Sequence, residues 1–173
     1  MQLFSAIVPP AEVVASLERE LAGLRETVPG PRWIPAGQWH VTLGFYGQGG
    51  DPAERAEWLR EALGGRVAPT LRLAGAGTFS HVLYVGVYSE GLTELATAAG
   101  AGHDRPYLPH LTVARTRGEV PSELPRRLAG YSGGTWTATE AVLMRSDPGE
   151  GGARYTVVGR YPLVSRQAGG PPA

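Results

Sequence analysis

Trp39-His40-Val41-Thr42-Leu43-Gly44-Phe45-Tyr46 opens on a pattern that recurs downstream as His110-Leu111-Thr112-Val113. Each copy alternates histidine, apolar residue, threonine and apolar residue. Along a β-strand alternate side chains share a face, so the imidazole and hydroxyl point one way and the apolar pair the other. Each copy therefore anchors itself in a core and presents polar chemistry on its opposite surface. Two such strands facing each other make a site with two histidines and two hydroxyl donors. Both copies follow a turn or loop, Pro35-Ala36-Gly37 and Asp104-Arg105-Pro106, and both are followed by a small residue, Gly44 or Ala114.

Working outward, Leu3–Val8 reads as a strand. Val13, Val14, Leu17, Leu21 and Leu24 recur at steps of three and four, predicting a helix from Ala11 to about Glu26 that Pro29-Gly30 ends. Arg32–Ile34 is a short extended piece and Trp39–Tyr46 a strand. Asp51 is placed as an N-cap with Pro52 at the first helical position, and that helix ends at Gly64-Gly65. Thr70–Ala74 and His81–Tyr88 read as strands separated by Gly75-Ala76-Gly77-Thr78-Phe79-Ser80. Gly91–Ala99 is a short helix, Leu108–Ala114 the second motif strand, and Ser122–Leu128 another short helix. Thr135–Arg145 and Ala153–Val164 read as two strands joined by the hairpin loop Asp147-Pro148-Gly149-Glu150-Gly151-Gly152.

Strands and helices are mixed without regular alternation, so the class is α+β with mostly antiparallel sheets. Strand, helix and motif strand recur as a degenerate internal duplication. Two lobes with a cleft between them bring the motif strands together. We expect one domain over residues 1–166 and a disordered tail at 167–173.

Hydrophobic content of 42% with 18% charged residues reads as soluble and globular. No stretch reaches the ~18 consecutive apolar residues of a membrane span. Met1–Val8 lacks a basic flank and is stopped by Pro9-Pro10, so it reads as a strand rather than a signal peptide. The chain contains no cysteine, which excludes disulfides, a thiol nucleophile and a thiolate metal site. A cytoplasmic location is the default, with no membrane partner. Net charge is zero, yet all 16 basic residues are arginine. Any basic contact to a phosphate must therefore use a guanidinium, which binds two oxygens at once.

Histidine accepts and donates protons near neutrality. A pair divides the labour: one neutral imidazole takes a proton from an attacking oxygen while the other, protonated, supplies the leaving oxygen. Thr42 and Thr112 would hydrogen-bond the non-bridging oxygens of a phosphate. No HExxH spacing, Gly-x-Ser-x-Gly elbow or dinucleotide fingerprint is present, and neither metal nor cofactor is expected.

The paired motifs resemble those of the 2H phosphoesterase superfamily. The run Arg105-Pro106-Tyr107-Leu108-Pro109-His110-Leu111-Thr112-Val113-Ala114-Arg115 points within it to the RNA 2′,3′-cyclic phosphodiesterases, also called 2′-5′ RNA ligase-like proteins. Leu3–Ile7, Arg32-Trp33-Ile34-Pro35, Gly75–Phe79 and Gly151–Tyr155 extend the likeness over nearly the whole chain. The resemblance implies a bilobal fold, with two mostly antiparallel sheets flanking a central cleft and helices outside. It implies hydrolysis of a terminal 2′,3′-cyclic phosphate on RNA to a 2′-phosphate. His40 would be the proton donor, His110 the proton acceptor, and Thr42, Thr112 and Arg115 the phosphate ligands. The two motifs are chemically equivalent, so the sequence itself does not orient the pair. A monomer acting on RNA ends, tRNA fragments among them, is the expectation. Turnover of a small cyclic phosphate or a 2′-5′ linked oligonucleotide, 2′-5′ ligation, and non-catalytic RNA-end binding stay open.

Gly44 stands where many relatives carry a larger or basic residue, and Gly91–His103 is short where relatives have a longer helix. His81 and His103 fall outside the motifs and are assigned to the surface. Phe4, Phe45, Trp39 and Tyr107 are candidates for stacking on a base. At strand positions the core is favoured for Phe4 and Phe45.

Overall fold

Pro10 ends the first strand and starts the first helix: its carbonyl accepts from the amides of Val13 and Val14, both at 3.0 Å. That helix buries Val13, Leu17, Leu21 and Leu24, and closes where the Val28 amide returns to the Leu24 carbonyl. The structure is a computed structural model and describes residues 1–165; the anticipated tail lies outside the described residues. In chain order the elements are β1 (Gln2–Ile7), α1 (Ala11–Thr27), β2 (Arg32–Trp33), β3 (Val41–Gln48), α2 (Pro52–Leu63), β4 (Thr70–Phe79) and β5 (Val82–Glu90). They continue as α3 (Leu92–Ala98), β6 (His110–Arg115), α4 (Glu123–Leu128), β7 (Trp136–Thr137), β8 (Glu140–Asp147) and β9 (Arg154–Pro162). A single 3₁₀ turn, Ala36–Gln38, precedes β3. Asp51 caps α2 as its sequence position predicts, accepting from the Ala53 amide at 2.9 Å.

Two elements differ from the sequence reading. The glycine-rich run after Ala74 does not end a strand. Gly75 adopts φ +68°, and a register shift between Leu73 and Ala76 lets β4 continue to Phe79. Glycine here supplies a bulge rather than a stop. The stretch Thr135–Arg145 is in turn two strands. β7 pairs with β4, whereas β8 pairs with β1, and Ala138 bonds the Pro69 carbonyl where the chain crosses from one half to the other. Alternation alone does not reveal a change of partner.

The strands form one nine-stranded sheet ordered β7-β4-β5-β6-β3-β1-β8-β9, with β2 added on β6. It divides into two four-stranded halves whose inner strands, β6 and β3, each carry a motif. All named pairings are antiparallel. The halves meet at one register pair, Val41 with Leu111. The two expected sheets are these halves, joined at their centre. α2 and α3 pack on the half containing β3 and β9, and α4 packs on β4 and β5. α1 joins α4's side, with Ser16 bonded to the Tyr131 hydroxyl at 2.9 Å and Arg127 to Thr27 at 3.0 Å.

The main core lies between sheet and helices and includes Val41, Leu43, Leu111 and Val113. A second small cluster of Phe4, Ala6 and Val142, with Met144 and Tyr155 against it, covers part of the other face. That face carries the histidines. Among the described residues, no helix is long and apolar enough to cross a membrane.

Candidate active site

Val41 and Leu111 are fully buried, so their neighbours along each strand point to the opposite face. Continuing the antiparallel register by one residue on either side sets His40 across from Thr112 and Thr42 across from His110. All four line one groove of about 380 Å³, a size suited to a nucleotide-scale ligand. Arg115 lines it too, as do Phe4, Phe45, Arg32, Gln38 and Tyr155.

Both imidazoles are held the same way. His40 Nδ1 lies 2.8 Å from the Gln38 carbonyl, and His110 Nδ1 lies 2.8 Å from the Leu108 carbonyl. A carbonyl only accepts, so Nδ1 carries the hydrogen in each ring and Nε2 is left for chemistry. Each ring also rests on two aromatic residues. Phe4 stacks on His40 at 4.8 Å, with Tyr155 edge-on at 5.6 Å. Phe79 and Tyr84 meet His110 edge-on at 4.9 and 5.5 Å. Tyr84 lies close over β4 because Gly77 has no side chain; a Cβ there would fall 2.3 Å from the Tyr84 hydroxyl.

Burial, foremost, holds the His40 pKa below 6.5. The hydrogen bond to the Gln38 carbonyl opposes this, while the charges of His110 and Arg115 add to the depression. A bound anion counters those two positive charges and so favours the protonated form of His40.

Behind β3 a second network fixes the motif strand. Buried Ser5 accepts from the Gly44 amide at 3.0 Å and bonds the Tyr46 hydroxyl at 2.8 Å, which donates to the Ala99 carbonyl at 2.7 Å. Burial raises the Tyr46 pKa to about 12. Tyr107 donates to the Thr42 carbonyl, tying the approach to the second motif onto the first. Its hydroxyl is likewise pushed up by burial.

The structure thus brings together all five residues singled out from sequence: His40, His110, Thr42, Thr112 and Arg115. His81 bonds the Gly118 carbonyl at 2.7 Å on the surface, and His103 is exposed. Trp39 belongs to the core, its indole donating to the Ile34 carbonyl at 3.1 Å, and Phe4 is buried beneath His40. Phe45 is the correction. Alternation assigns it to the core, yet it is 61% exposed and lines the groove. The cause is a register shift in the β1–β3 pair: Ala6 faces Thr42, Ser5 faces Gly44 and Phe4 faces Phe45, leaving Leu43 as the extra residue. That shift reverses the alternation after Leu43. The aromatic residues around each histidine are not visible as a set in the sequence, because nothing in the spacing of Phe79 or Tyr155 ties either to an imidazole.

A family model described as the 2′-5′ RNA ligase superfamily matches residues 13–150. The chain belongs to this family. An RNA 2′,3′-cyclic phosphodiesterase of Thermus thermophilus is 31% identical, covering 94% of this chain and 90% of that protein. Among solved structures, one from Thermus thermophilus aligns with TM-score 0.78 and 27% identity over 96% of this chain and 100% of that one. E. coli LigT complexed with 3′-AMP aligns with TM-score 0.74 and 27% identity over 94% and 96%. The antiparallel α+β fold is that of these 2′-5′ RNA ligase-like proteins. Among the described residues, no cluster of three or more His, Cys, Asp or Glu is arranged to hold a metal ion.

Proposed function

We propose that this member of the family hydrolyses the 2′,3′-cyclic phosphate at an RNA 3′ end to a 2′-phosphate by general acid–base catalysis. The observation that carries the reading is the pair of imidazoles of matching tautomer lining one groove with both threonines and Arg115. Water attacks phosphorus while His110 Nε2 takes its proton. The bond to the 3′-oxygen breaks, and protonated His40 delivers a proton from Nε2 to that oxygen. The product is a 2′-phosphate and a 3′-hydroxyl, and solvent exchange resets the two rings. Thr42, Thr112 and Arg115 hold the non-bridging oxygens, where fixed donors stabilise the transition state. The named activity of the Thermus relative supports this substrate class. A single domain acting as a monomer is part of the proposal, with tRNA fragments among its substrates.

The test is an oligonucleotide ending in a cyclic phosphate, incubated with the protein in EDTA. A 2′-phosphate product is expected, lost in both His40→Ala and His110→Ala. Unchanged turnover in either variant overturns the assignment. The family's ligase description favours one further assay, because a 5′-hydroxyl in place of water gives a 2′-5′ linkage by the same steps.

A further inference from the structure

Arg32 on β2 and Arg115 on β6 are direct register partners, and both are exposed and line the groove. Like charges facing each other across an antiparallel pair are unfavourable unless something of opposite sign joins them. Arg25, Arg60, Arg127, Arg145 and Arg160 each have a carboxylate partner; neither Arg32 nor Arg115 enters an ion pair among the described residues. Arg32 is also seated. Its guanidinium lies against Gly152, where a Cβ would come within 2.9 Å of Nη1 and where φ is +129°. The loop bearing Gly152 is tied back to the turn before His40 by the Gln38 amide, which donates to the Ala153 carbonyl at 2.7 Å.

Arg115 is near enough to influence His40 and serves the reacting phosphate in the reading above, on which this inference rests. Arg32 is left with no reacting group. We propose that Arg32 forms a second anion subsite, taking the phosphate on the 5′ side of the terminal nucleoside. A planar guanidinium held at the groove rim binds two phosphate oxygens at once. The groove then distinguishes an RNA end from an isolated nucleoside cyclic phosphate by one added charge contact, before any base is read.

Two substrates isolate that contact: adenosine 2′,3′-cyclic phosphate and its 5′-phosphorylated form. The 5′-phosphate is expected to lower KM about tenfold, the scale of a charge-assisted hydrogen bond. Arg32→Gln should erase that preference and Arg32→Lys retain part of it, while Arg19→Gln, an exposed arginine on α1, keeps it whole. For a single-stranded oligonucleotide, Arg32→Gln should also reduce the slope of log affinity against log salt by about 0.7. A 5′-phosphate preference that survives Arg32→Gln, or is absent from the unmodified protein, overturns the subsite. Equilibrium binding of adenosine 2′-phosphate and adenosine 2′,5′-bisphosphate repeats the comparison without turnover. An Arg32-dependent binding preference in a protein that turns over neither substrate keeps the subsite and refutes the hydrolase reading.

Discussion

Val41 and Leu111 face each other, fully buried, as the register pair through which the two halves of the sheet join. Continuing that register by one residue either way sets His40 opposite Thr112 and His110 opposite Thr42. Truncating Leu111 to alanine should cost roughly 2–5 kcal/mol of stability through the cavity left behind. It should also lower kcat in the folded fraction, because the two motif strands lose their shared anchor. Leu83→Ala, an equally buried site on β5, supplies the control: a comparable fall in unfolding free energy with kcat preserved. Equal kcat in the two variants would show that the pair only stabilises the fold.

The proposed pair is active when singly protonated, so kcat/KM should trace a bell against pH. Burial and the charges of His110 and Arg115 hold His40 below its ordinary 6.5. The lower apparent pKa of the pair therefore falls below 6.5, and kcat/KM rises with pH through that value. Arg115→Gln removes one of the depressing charges, so the acid limb should move to higher pH. Stability follows the same sign. A depressed histidine stabilises the fold above its unfolded value and loses that contribution as pH falls through its folded value. Acid should thus lower the unfolding free energy, with a shallower slope in His40→Gln. An acid limb that stays in place in Arg115→Gln would separate that arginine from the histidine.

Much of this site is written in local sequence. A two-residue period places His40 with Thr42 and His110 with Thr112, and helix periodicity with Pro10, Asp51 and Gly64 marks the helices. What is not legible is whatever depends on register. The shift at Leu43 moves Phe45 to the groove, and the bulge at Gly75 carries β4 as far as Phe79, where it meets His110. Arg32 becomes notable only once β2 is seen to pair with β6. Such pairings are non-local, and a glycine that ends one strand looks the same in sequence as one that bulges another.

Gly44 sits against the buried hydroxyl network: a Cβ there would lie 2.5 Å from the Ala99 carbonyl and 2.8 Å from the Tyr46 hydroxyl. This accounts for the small residue after the first motif in this chain. Gly44→Ala should destabilise by about 1–3 kcal/mol through overpacking. Tyr46→Phe should cost a similar ~1–3 kcal/mol by leaving the Ala99 carbonyl without its donor. The double variant should cost less than the sum, since removing the hydroxyl relieves part of the clash. Strict additivity in chemical denaturation would place the clash at Ala99 alone.

Phe45 offers a large exposed ring at the groove wall, opposite Phe4 in the β1–β3 register. An aromatic face open to solvent next to a proposed phosphate site is suited to the base of the terminal nucleotide, and base–aromatic stacking contributes about 1–3 kcal/mol per base. Phe45→Ala should therefore raise KM roughly 5- to 150-fold for a nucleotide cyclic phosphate, with kcat much less affected. Its melting temperature should barely move, because the ring is already mostly in water and little buried area is lost. Phe45→Trp should keep the low KM. A ribose 2′,3′-cyclic phosphate without a base supplies the decisive comparison: Phe45→Ala should leave its KM unchanged. A rise in KM for that substrate as large as for the nucleotide would mean that Phe45 shapes β3 rather than stacking on the base.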